Sequence, residues 1–202
     1  MTFLNKTLNM IKNYKLRRLA VVLIILVISL PLSGQIQNEL DLFNKERFKK
    51  NNRLMLTLGG WSILNLSTGA IGSFTTEGTS SHFHQMNVLW NTVNFSLAAG
   101  GLLRYRSDKK KVFNLSETIK EQHKTEKIFL VNSALDISYI GAGAFLNYRS
   151  SLGLENAAMQ RGFGNSLIMQ GAFLLFFDVV AFYIHKKNRL KKLEPIVNSI
   201  GL

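Results

Sequence analysis

Two acidic residues, Asp136 and Asp178, each stand alone in a run of otherwise uncharged residues. No lysine or arginine interrupts residues 54–103, 128–148 or 162–184. A membrane span needs about 20 mainly apolar residues to cross about 30 Å of hydrocarbon, and these stretches are long enough. Counted from the flanking basic residues at about 1.5 Å per residue, Asp136 lies about 13 Å beyond Lys127 and Asp178 about 12 Å before Lys186. The same count puts Asn94 about 15 Å in from Arg104 and Asn65 about 18 Å in from Arg53. Two acids and two amides are therefore expected to meet at mid-membrane, with no intramembrane cation to neutralise them. An ionised acid at that depth is costly, and two close together hold at least one proton. This arrangement suits either ion or proton handling or a structural clamp in which a protonated aspartic acid is hydrogen-bonded to an asparagine.

Other chemistry is less well supplied. The "HFH" of His82 and His84 offers two imidazoles. Alternate residues point to different faces of a helix, so both reach one metal ion only on a loop or strand. Glu77 is the one nearby third ligand, while His123 and His185 fall on the opposite side. The chain has no cysteine, which excludes disulfides, thiolate metal sites and cysteine nucleophiles. Neither a nucleophile elbow nor a phosphate-cradling glycine loop occurs. No cofactor and no catalytic residue is expected.

The elements that position these groups follow from spacing. Positions four and three apart share a helical stripe. The stretch after His84 places Asn87, Asn91, Asn94, Ala98 and Gly101 on one stripe. The preceding stretch offers Ser62, Asn65, Gly69 and Gly72, the third Asn132, Asp136, Tyr139 and Gly143, and the fourth Gly164, Gly171 and Asp178. Each stripe is small or polar, and the remaining surface is apolar with no charged outer face, unlike a soluble bundle. Lipid offers an amide no partner, so the seams are expected to face one another, each interhelical pair worth about 0.6–2 kcal/mol. The fold class predicted is all-α, a transmembrane four-helix up-down bundle behind a signal-peptide-like N-terminal segment. Its parts are a signal-like or membrane-associated segment (1–34), a basic amphipathic linker (35–53), the four-span bundle (54–185) and a basic tail (186–202).

Charge gives the bundle an orientation. Of 25 basic residues, residues 34–53, 104–127 and the tail after Ile184 hold 18, whereas the connections 75–86 and 149–161 hold two. The positive-inside rule places the first group in the cytoplasm and explains the net charge of +13 without nucleic acid. Partners expected are the bilayer, anionic lipids at basic loops such as "RYRSDKKKVF", and a membrane-protein partner or second copy. The N-terminus disagrees with this orientation. "KNYKLRRLAVVLIILVISLPLSGQ" has the basic lead, short apolar run and small residue of a secretory signal, and its export would invert every later span. Between them, Ile36, Leu40 and Phe43 form the apolar face of a short interfacial helix or a solvated linker. Asn114 and Glu117 form a helix-capping pair, Pro195 is expected to end the last helix, Trp90 to anchor at the interface and Trp61 to pack deeper.

In "LMLTLGGWSILNLSTGAIGSF" and "HFHQMNVLWNTVN", Gly59, Gly60, Trp61, Asn65 and Gly69, then "FHQMN", Trp90, Asn91 and Asn94, carry a resemblance. Over residues 50–185 the chain resembles an uncharacterised family of small bacterial integral-membrane proteins, a domain of unknown function. The resemblance implies four spans, often behind a signal-like N-terminus, and no activity. The function expected is that of a non-enzymatic structural or accessory component of the bacterial inner membrane. The rival is a small transporter or ion-handling protein using Asp136 and Asp178 with Asn65, Asn91 and Asn94, and a membrane enzyme ranks third. Single cysteines at Ser80, Ser107 and Ser199, labelled on intact cells with an impermeant thiol reagent, decide the orientation. Labelling at Ser80 alone follows from the charge count, and labelling at Ser107 and Ser199 alone follows from export of the N-terminal segment.

Overall fold

The computed structural model of the chain describes the backbone of residues 2–153 and 155–201. The side chains of residues 2–13, 20 and 22–33 lie outside the described residues, and with them most of the signal-like segment. Along the chain come α1 (Thr2–Thr75), α2 (Gly78–Asp108), α3 (Leu115–Ser151), α4 (Ala157–Asn188), a π-helix (Arg189–Leu193) and α5 (Glu194–Ser199). The described residues contain no strand. Helix α1 packs along α2, α3 packs along α4, and α2 meets α4 to join the two pairs.

Helical stretches Gly34–Thr75, Leu115–Ser151 and Ala157–Ser199 are long and apolar enough to cross a membrane. The expected second span lies on α2, which is long but less apolar, because its inward stripe consists of Asn87, Asn91 and Asn94. Its outward positions Leu89, Val93 and Leu97 are exposed and apolar. The same inversion holds throughout. Among the described residues 13 hydrophobic side chains are buried against 19 polar or charged ones. A water-soluble core has the opposite balance, and hydrocarbon around the helices accounts for it.

Small residues let the helices approach. A Cβ on Gly143 of α3 would stand 2.6 Å from the Gly164 carbonyl of α4, and one on Gly164 would stand 2.7 Å from the Gly143 carbonyl. These two backbones touch, as small-residue crossings in membranes allow. Further along the same crossing, Gly171 sits under Ile140 and the Asp136 carbonyl.

The basic end is a layer of its own. Asn114 accepts from the Glu117 backbone N–H and Glu117 accepts from Asn114 N, so the expected capping box starts α3. Residues 34–53 are continuous with α1. Their face of Leu40 and Phe43 packs on Leu193 and Ile196, with Ile36, Leu115 and Ile119 around them, in place of the membrane surface or solvent expected for it. The reason is a competing apolar partner from the C-terminus. Pro195, expected to end a helix, sits in the first turn of α5, where its missing N–H costs nothing. Glu46 is held below the ordinary carboxylate range by hydrogen bonds from Lys192 and Lys50, which ties α1 to the C-terminal segment.

Replacing Gly143 by valine forces apart two touching backbones and is expected to destabilise the protein by about 1–3 kcal/mol or more. Gly141→Val, where an added Cβ meets nothing within 4 Å, is expected to stay within about 0.5 kcal/mol of wild type. Thermal unfolding of both variants in one detergent checks the contrast.

Candidate functional site

Two polar clusters occupy the interior, and they differ in how completely their groups are paired. The first is an amide junction centred on Gln170 of α4, which is fully buried. Its Nε2 donates to Asn65 Oδ1 of α1 at 3.2 Å and to Asn87 Oδ1 of α2 at 3.0 Å. Its Oε1 accepts from Trp61 Nε1 of α1 at 2.9 Å. Ser166, one turn earlier on α4, donates to the same Asn87 oxygen at 2.6 Å. The Trp61 ring is further fixed by stacking on Phe173 with ring centroids 3.7 Å apart. Asn65 Nδ2 returns to the Trp61 carbonyl and Asn91 Nδ2 to the Asn87 carbonyl. Three helices thus share one closed hydrogen-bonded knot.

The second cluster lies nearer the basic end. Asp136 of α3 and Asp178 of α4, 3% and 4% exposed, face one another within hydrogen-bonding reach. A carboxyl–carboxyl hydrogen bond requires a proton between the two groups. They line a cavity of about 260 Å³ with Asn94 of α2, Asn132 and Tyr139 of α3, and Trp90 of α2. Leu58, Leu174 and Phe177 supply its apolar wall. Apart from the facing Asp178 carboxyl, Asp136 Oδ2 has no hydrogen-bond partner among the described residues, and Trp90 Nε1 has none, although both atoms are buried. Asn94 is held only by a 3.5 Å contact to Asn91 Oδ1. Carboxylates, amide carbonyls and a phenol are hard oxygen donors, suited to a proton or a hard cation and unsuited to a soft metal.

The expected meeting of two acids and two amides is therefore met by Asn94 and not by Asn65. The depth count places Asn65 roughly one turn deeper than the acids, and at that level it meets Gln170. Leu58 of α1 takes the place beside the cavity. Asn132 enters through the cavity wall, while Asn87 and Asn91 belong to the amide junction. Trp90, expected at the interface, turns inward, its ring edge-on to Tyr139 at 4.6 Å. Trp61 packs at depth as its position implied.

His82 and His84 diverge because both lie on α2. His82 Nδ1 pairs with Gln85 Oε1 at 3.1 Å and its ring meets Phe163 of α4 edge-on. His84 lies against Gly72 of α1, where an added Cβ would run into its ring. Among the described residues no group of three His, Cys, Asp or Glu side chains converges.

Gln170 and Ser166 were not singled out by the glycine-led spacing of α4. Their signal was a long amide and a hydroxyl four residues apart inside the most apolar of the three candidate spans among the described residues, which only a polar partner on another helix explains. The buried His185, stacked on Phe129 at 5.6 Å, was likewise unforeseen.

Neither the curated proteins nor the solved structures compared with the chain include a match. Residues 57–179 match the family of unknown function DUF6992. The matched stretch contains both polar clusters and leaves out residues 34–53 and the basic tail. Because the match covers more than half of the sequence, the chain belongs to the DUF6992 family.

Proposed function

We propose that the protein is a non-enzymatic integral-membrane protein of the bacterial inner membrane, with four spans forming a bundle, in which the Asp136–Asp178 pair binds and exchanges protons or a small hard cation. The observation carrying this reading is the make-up of the acid cavity: two buried carboxyl groups face one another with no cation beside them, and a buried indole N–H, unpartnered among the described residues, lines the same space. A structural clamp closes its hydrogen bonds on itself, as the Gln170 junction does. Groups left open inside hydrocarbon are expensive and mark a place where something is exchanged. The apolar wall of Leu58, Leu174 and Phe177 limits hydration and favours an ion held by the carboxyl pair over a water-filled pore.

A structural or accessory role has its own support in the amide junction, which binds α1, α2 and α4 without any open group on Gln170. The two readings assign different jobs to different clusters, so they separate by mutation. In proteoliposomes with a pH-sensitive dye, wild type is expected to dissipate an imposed pH gradient, and Asp136→Asn or Asp178→Asn to abolish that flux while unfolding at a similar temperature. Gln170→Leu leaves Asn65 Oδ1 and Trp61 Nε1 without a partner while Asn87 keeps Ser166, and is expected to lose about 1–3 kcal/mol of stability. No flux from folded wild type, across either a proton or an alkali-cation gradient, rejects ion handling and leaves the accessory role.

A further inference from the structure

At the basic end a second cleft, of about 150 Å³, opens between α1, α2 and α3, independent of the acid pair. Arg47, Arg104 and Lys124 line it together with the apolar Met55, Ile128 and Phe129. Arg47 is 2% exposed. Its Nε and Nη2 both donate to Asn44 Oδ1, at 3.2 and 2.8 Å, and Asn44 is itself fixed by donating to Thr118 Oγ1 at 2.8 Å and the Leu40 carbonyl at 3.0 Å. The guanidinium lies 4.7 Å from the Phe48 ring and 5.5 Å from the Phe113 ring. Its position is thus set by α1 and α3 before any ligand arrives.

What Arg47 lacks is an acid in direct contact, since Glu121 and Asp108 act on it only from a distance. None of the ion pairs among the described residues includes it. Burial pushes it down to about 10, which leaves it charged at neutral pH. The two acids of the cleft are engaged elsewhere: Asp108 with Arg104 at 3.1 Å and Lys111 at 2.7 Å, and Glu121 with Arg104 at 2.8 Å. Arg47 and Lys124 remain in excess. A buried cation without an anion is strongly unfavourable, whereas an arginine with a free edge matches the paired oxygens of a phosphate. Depth adds to the argument. Arg47 precedes the apolar run beginning at Leu54 by about 10 Å, the headgroup level, and the apolar lining of the cleft falls where the hydrocarbon begins.

We propose that this cleft binds a phosphate group, with Arg47 and Lys124 as its ligands and Asn44 as the residue that positions Arg47. A phospholipid headgroup and free phosphate present the same chemistry, and the test separates them. The full-length protein in detergent is titrated with inorganic phosphate at ionic strength fixed with chloride, and separately with phosphatidylglycerol against phosphatidylcholine in mixed micelles. Thermal unfolding and lipid retention in native mass spectrometry are the readouts. Stabilisation by phosphatidylglycerol but not inorganic phosphate assigns a lipid headgroup, and stabilisation by inorganic phosphate assigns the soluble ion. Arg47→Met, which exchanges the buried charge for an apolar side chain, is expected to weaken binding about tenfold or more. Lys124→Gln, on an exposed side chain, is expected to weaken binding without touching the packing. Lys110→Gln removes an equal charge outside the cleft and is expected to leave binding unchanged. No stabilisation by either source, or an equal effect of the Lys110 and Lys124 variants, overturns the proposal.

Discussion

One side-chain amide, that of Gln170, fixes where three helices stand relative to one another. It can do so because the surroundings give it no other choice. In water an amide exchanges partners at little cost, and its net contribution is about 1 kcal/mol. Among apolar side chains facing lipid the alternatives disappear, and Gln170 has Asn65, Asn87 and Trp61 or nothing. Ser166 adds a second bond to the same Asn87 oxygen. The stripe of asparagines on α2 is the complement of this junction, and the lower apolarity of α2 is its consequence.

Close approach of the backbones is the condition for those short bonds. Gly143 and Gly164 bring α3 onto α4, so that Asp136 and Asp178 also come face to face further along the crossing. The acid pair therefore depends on the same small residues as the packing. Its neighbours on α2 and α3, Asn94 and Asn132, are spaced to line a cavity and do not reach in to close it. The contrast between a closed amide knot and an open acid cavity about two helical turns nearer the basic end gives the interior two separable parts.

Much of this was legible in the sequence because the signal was periodic. Asn87, Asn91, Asn94 and Ala98 are all buried, as are Ser62, Asn65, Asp136, Gly143, Gly164, Gly171 and Asp178 from the other stripes. A stripe shows which face turns inward, and it does not show which helix it meets. The pairing of Asn65 with Gln170 in place of the acids was decided by a difference in depth finer than a count from the nearest basic residue resolves. Ile36, Leu40 and Phe43 were recognisable as one apolar face, yet their partner came from Leu193 and Ile196, some 150 residues away. Arg47 was one charge among many in a basic segment, and only the fold buries it beside Asn44.

The directional interior has a mechanical consequence. Hydrogen bonds from Gln170 to two helices, and from Asn44 to Thr118 near the basic end, pin the helices axially at two depths. Sliding α1 by a turn would break partners at both levels at once. The lipid-facing surface carries no such directionality. When bilayer thickness departs from the apolar length of these helices, the usual responses are tilt, kinking or deformation of the surrounding lipid. With relative sliding blocked, hydrophobic mismatch falls on the lipid or on tilt of the assembly as a whole, and the spacing between the acid pair and the charged end stays constant in membranes of different thickness.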